Sequence, residues 1–107
     1  MKEIIISTTN EIPGKKVVKI LGVARGNTVR ARNIGRDIAA GLKNIIGGEI
    51  KTYTEMATQS RDEAYNRMVN EAIEMGADAV VGMRFMTSTV MAGASEMLAF
   101  GTAVKLG

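Results

Sequence analysis

Four methionines, Met83, Met86, Met91 and Met97, fall close together in a chain that has no cysteine and no histidine. Thioether sulfur is a soft donor suited to Cu(I), and Met86 and Met91 stand at either end of a turn segment, which makes them the soft-metal candidates. Alternation along a strand puts Met83 and Met86 on opposite faces, so the four do not converge within one copy, and methionine also fills gaps in cores and interfaces. Zinc-type sites need His, Cys or clustered carboxylates. The acids Asp62, Glu63 and Glu71 could hold a hard cation, but their spacing reads as the solvated face of a helix. No metal and no other cofactor is therefore expected from the residues.

The basic run "RGNTVRARNIGRD" is a different kind of candidate. Arg30 and Arg32 share strand parity, and Arg36 falls in the first turn of a predicted helix whose N-terminus offers free backbone donors. Together they could bind a phosphate or carboxylate; the competing reading is a solvated strand edge, or arginines paired with acids of a neighbouring copy. Arg84 lies mid-strand among apolar residues, where an unpaired buried charge is costly. Glu96, across a predicted hairpin, is its expected partner, as an interface or structural pair. Nucleophilic triads with a histidine base and cysteine chemistry are excluded by composition, and no glycine run has phosphate-loop spacing. Nothing points to an enzyme, although Glu96 or Asp62 could in principle do carboxylate chemistry.

These residues must be held by a few elements. "EIIIST" reads as a short strand, Pro13 and Gly14 as the centre of a type II turn, and "KVVKILGVARGNTV" as the hairpin partner of the first strand. Asn33 is a plausible N-cap for a helix whose apolar residues Ile34, Ile38, Leu42, Ile45 and Ile46 recur at helical spacing up to Gly47 and Gly48. A longer helix follows, starting at one of two capping boxes, "TYTE" (Thr52–Glu55) or "SRDE" (Ser60–Glu63). Its expected apolar stripe is Tyr65, Met68, Val69, Ala72 and Ile73, and Gly76 sits at its C-cap. "ADAVVGMRFMTST" alternates, with Ala79, Val81, Met83 and Phe85 on one face and Val80, Gly82, Arg84 and Met86 on the other. "VMAGAS" turns the chain into "EMLAFGTAVKL", where Leu98, Phe100, Thr102 and Val104 oppose the small face of Met97, Ala99, Gly101 and Ala103. That small face lets another backbone come close.

The chain has 107 residues, twelve of them glycine, and four aromatic side chains, Tyr53, Tyr65, Phe85 and Phe100. A chain of this size buries only roughly 65% of the surface it exposes when unfolded, so a partner subunit would help to stabilise it. Residues 1–51 hold ten Lys/Arg against four Asp/Glu, a net of +6, whereas residues 52–107 hold four against seven, a net of −3. Such asymmetry suits docking of the acidic part of one copy onto the basic part of the next. The excess charge is modest and no aromatics interleave with it, so nucleic-acid binding is not expected. Neither a secretory signal nor a membrane span is predicted, and the absence of cysteine fits a cytoplasmic address. One α+β domain over residues 1–107 is the economical reading: two layers, an antiparallel sheet with helices packed on one side.

"GVARGNTVRARNIGRDIAAGLKNIIGGEIKTYTEM", "SRDEAYNRMVNEAIEMGADAVVGMRF" and "TSTVMAGASEMLAFGTAV" together resemble the YbjQ family, also called UPF0145, small proteins described as putative heavy-metal-binding domains. The resemblance spans essentially the whole chain. It implies a dodecin-like subunit assembled with itself into a ring, a homopentamer or a pentamer-based assembly. The arginine cluster adds the expectation that any small anionic ligand is held at subunit interfaces or in an arginine-lined pore.

Overall fold

The computed structural model describes residues 3–31, 45–46 and 49–107. In chain order these form β1 (Ile5–Ile6), β2 (Val17–Ala31), β3 (Ile45–Ile46), β4 (Glu49–Ile50), α1 (Lys51–Glu74), β5 (Ala79–Met91) and β6 (Ala94–Leu106). Four strands make one sheet in the order β1-β5-β6-β2, and β3 pairs with β4 in a separate two-stranded ribbon. The architecture is α+β, with α1 laid on one face of the larger sheet.

The long antiparallel part of that sheet follows from two tracts of alternating, β-branched sequence. Gly93, at positive φ, helps to turn β5 into β6, and β6 then pairs with β2 from Val17↔Leu106 to Ala31↔Ala94. The expected hairpin between the first strand and β2 does not form. The turn itself does, with Lys15 N–H donating to Ile12 O across Pro13 and Gly14, but β1 pairs in parallel with β5, Ile5 opposite Ala79 and Ile6 opposite Val80. The sheet is therefore mixed at that edge. Period-two alternation marks a strand without naming its partner, and here the nearby partner lost to a distant one.

On β5 the strict alternation also fails, at one residue. Gly82 adopts φ +61 inside a register shift between Val81 and Arg84, a bulge that reverses side-chain parity beyond it. Val80, Met83 and Phe85 consequently share the face under α1, with Ala99 and Ala103 opposite, while Val81, Arg84 and Met86 share the other.

α1 begins at the earlier of the two predicted starts. It ends in a Schellman motif: Gly76 at positive φ, with Gly76 N–H donating to Ile73 O and Ala77 N–H to Ala72 O. Of its expected stripe, Met68 and Ala72 are fully buried and Tyr65 and Val69 half-buried, whereas Ile73 is exposed and the unforeseen Ala64 lies at the centre. The reason is steric. A Cβ on Gly26 of β2 would stand 2.3 Å from Met68 N and 2.4 Å from Ala64 O, so the helix backbone rests directly on a strand that has no side chain there. Ala24, Ala99 and Ala103 extend this shallow floor, so the small face of β6 receives the chain's own helix. Past the motif, Asp78 Oδ2 accepts the Leu106 N–H at 2.9 Å and Oδ1 lies 3.7 Å from Lys105 Nζ, fastening the end of the helix to the last strand.

The first predicted helix lies outside the described residues, apart from Ile45 and Ile46. Those two pair as β3 with Ile50 and Glu49, a state that β-branched side chains favour over a helix end.

Candidate functional site

Among the described residues, the face of the sheet away from α1 is covered at one end only. There the segment leading to β2 brings Ile12 and Val17 over Ala79, Val81 and Val104, with Ile5 and Leu106 alongside. Beyond them the register sets out an open platform in rows across β2, β6 and β5. Val23 stands beside Thr102 and Val81, Arg25 beside Phe100 and Arg84, Asn27 beside Leu98 and Met86, and Val29 beside Glu96 and Ser88. Val23, Val29 and Met86 are 60%, 57% and 58% exposed, values far from those of sheet residues buried under a layer. Exposed apolar side chains set among charged ones are of the kind that interaction surfaces use.

Arg84 and Glu96 both lie on this platform but do not pair within the chain. Arg84 is opposite Phe100 and Glu96 opposite Ser88, a separation of four positions along β6, or about 14 Å. Instead Arg84 Nη1 donates to Thr8 O (2.9 Å) and Met83 O (2.8 Å), while Glu96 accepts from Asn27 Nδ2 (3.0 Å) and, more weakly, from Ser88 Oγ (3.5 Å). Among the described residues neither has an oppositely charged partner. The expected pair fails on register, which the hairpin's bulges shift.

Of the predicted anion cluster, Arg32 and Arg36 lie outside the described residues. Arg30 points to the helix side, where its Nη2 donates to Glu63 Oε2, and Arg67 Nη2 donates to the other oxygen of the same carboxylate. Arg67 Nη1 also donates to Asn27 O at 2.7 Å. Glu63 thus ties β2 to α1 through two arginines. This network was not foreseen, because its members are distant in sequence and only the helix–strand packing brings them together. Arg30 Nε is buried without a hydrogen-bond partner among the described residues.

The methionines divide as their parity requires. Met83 is buried and Met97 half-buried under α1, while Met86 and Met91 stand exposed. The β6 partners of Met86 and Met91 are Leu98 and Ala94, which leaves their backbones about 14 Å apart, so the two thioethers are not gathered into a ligand set. Asp62 is exposed on α1, and Glu63 is held by its arginines. No group of three or more His, Cys, Asp or Glu among the described residues could hold a metal ion. The donor set of the described residues therefore does not fit a heavy-metal centre. No helix among them is long and apolar enough to cross a membrane.

Comparison with known proteins places this architecture. A UPF0145 protein of Archaeoglobus fulgidus is 63% identical over 105 residues, covering 98% of this chain and 97% of the relative. One from Psychromonas ingrahamii is 63% identical over 102 residues, covering 95% and 97%. A crystal structure of a protein of unknown function from Pediococcus pentosaceus, assigned to the DUF74 family, superposes with a TM-score of 0.67 at 15% identity, covering 97% of this chain and 98% of that one, a likeness of fold. The YbjQ_1 family model, described as "Putative heavy-metal-binding", matches residues 4–107. The chain belongs to the YbjQ (UPF0145) family.

Proposed function

We propose that this protein acts as a self-assembling subunit, a ring-forming homo-oligomer built on five copies, working in the cytoplasm and holding any ligand at the contacts between copies. The observation that carries this reading is the open platform, where Val23, Val29 and Met86 stay more than half exposed on a sheet whose other face carries α1. Covering the exposed part of each such side chain recovers about 1–2 kcal/mol on association. The charge asymmetry along the chain supplies orientation. Native mass spectrometry tests the reading. The unmodified protein is expected as a single species of five copies or a multiple of five, and Val29→Glu with Met86→Glu is expected as folded monomer. A wild-type monomer at micromolar concentration would refute it.

A second reading, anion binding through Arg30, Arg32 and Arg36, has one observation in its favour, the buried Arg30 Nε, which has no hydrogen-bond partner among the described residues. It predicts salt-sensitive thermal stabilisation by phosphate that is lost in Arg32→Ala; stabilisation unchanged by that substitution would remove it.

A further inference from the structure

Two surfaces on opposite sides of the molecule match each other. On the platform, Phe100 lies between Arg25 and Arg84 in one row, and the two arginines are separated by two strand spacings, about 9.6 Å. On the outward side of α1, Glu55 and Asp62 are both exposed and stand seven residues apart, two helical turns or about 10.5 Å along the axis. Between these acids a shallow concavity of about 460 Å3 is lined by Glu55, Met56, Thr58, Gln59 and Asp62. One surface carries an aromatic ring flanked by two cations, and the other a hollow flanked by two carboxylates at nearly the same spacing.

We infer that the platform of one copy is covered by α1 of a second copy laid across its strands, with Phe100 in the hollow and Arg25 and Arg84 facing Glu55 and Asp62. The occupant is another copy of this chain because the complement is present in the chain itself, in spacing and in charge. The half-buried Met56 in the hollow gives the ring a polarizable sulfur contact. Arg25 and Arg84 keep partners once water is excluded, as a covered charge requires. The two surfaces differ, so the contact is head-to-tail, the class that propagates from copy to copy instead of stopping at a pair and forms a ring where the rotation between copies closes.

The inference rests on the assembly reading above, and charge reversal separates the two. One variant reverses the sheet side (Arg25→Glu with Arg84→Glu) and another the helix side (Glu55→Arg with Asp62→Arg). All four side chains are exposed, so circular dichroism and thermal unfolding are expected to report folded protein for each. Because Arg84 also bonds Thr8 O, Arg25→Glu alone serves as a milder sheet-side variant. Native mass spectrometry and light scattering are expected to show that each reversal raises the concentration needed for assembly roughly a hundredfold, since like charges then face each other. The chain carrying all four reversals is expected to assemble again. A sheet-reversed and a helix-reversed protein, mixed, should co-assemble only in alternation, giving even numbers of copies. A monomeric wild type would overturn the assembly reading. A wild-type oligomer that survives either reversal, or a fourfold variant that stays dissociated, would overturn this docking while leaving assembly intact.

Discussion

The two faces of the sheet are built on opposite principles. Under α1 the residues are small, with Gly26, Ala24, Ala99 and Ala103 forming a floor on which the helix backbone rests, and Met68 and Val80 are the bulkiest groups sealed inside. The charged groups on this side, Arg30, Glu63 and Arg67, lie at its margin and pair with one another. On the other face the residues are large or charged, with Val23, Val29, Met86, Phe100, Arg25, Arg84 and Glu96, and among the described residues little covers them beyond the end closed by Ile12 and Val17. The first face is specified by shape, where one added methyl is a collision. The second tolerates many residue types in the isolated chain and becomes selective when something packs on it.

Substitutions can sharpen this contrast. Gly26→Val should cost the most, about 3 kcal/mol or more, because its Cβ would meet the α1 backbone and neither side can retreat without separating the layers. Urea unfolding is the measurement, and a loss under 1 kcal/mol would show that the helix does not sit on Gly26. Met68→Ala should cost about 3 kcal/mol by emptying a fully buried site. Its counterpart on the open face, Met86→Ala, is expected to change the unfolding free energy of the dissociated chain by less than about 0.5 kcal/mol, while weakening assembly in light scattering. Equal unfolding losses for the two methionines would erase the distinction between faces. Asp78→Ala should cost about 1–2 kcal/mol, most of it from the orphaned Leu106 N–H, so Asp78→Asn should recover most of the loss. The smallest effect belongs to Glu63→Gln. Its two ion pairs are partly exposed, so about 0.5 kcal/mol is expected, fading as salt is raised to molar concentration; a loss that ignores salt would point to packing instead.

Local signals in the sequence were reliable where local chemistry decides. The Pro13–Gly14 turn, the glycine that ends α1 and the division of β6 into a large and a small face are all present as predicted. Errors cluster where distant partners decide. β1 chose β5 over β2, a choice made by contacts some seventy residues away that no pattern within the strand records. One glycine at φ +61 moved half of β5 to the opposite face, although the same residue reads equally well as an ordinary strand position. Ala64 was overlooked because alanine carries little hydrophobic signal, yet close approach of two backbones selects for it. The candidate site suffered in the same way. Arg84 and Glu96 were rightly singled out as residues needing an explanation, but their separation depends on the hairpin's register, and the Arg30–Glu63–Arg67 network depends on how the helix lies across β2.

The position of β6 between β5 and β2 bears on time as well as on shape. β5 reaches β6 across a tight turn, a search over a handful of residues. β2 reaches it only by closing loops of 63 residues at the Ala31–Ala94 end and 89 at the Val17–Leu106 end. Loop closure over such lengths is slow, so the hairpin is expected to form early and the docking of β2, with Gly26 beneath the helix, to be the late and rate-limiting event. Until it docks, β6 presents a naked strand edge beside an uncovered apolar face. The interval most open to wrong association therefore ends with the arrival of one strand, and refolding yield should depend more steeply on protein concentration for variants that slow this step than for those that weaken the hairpin.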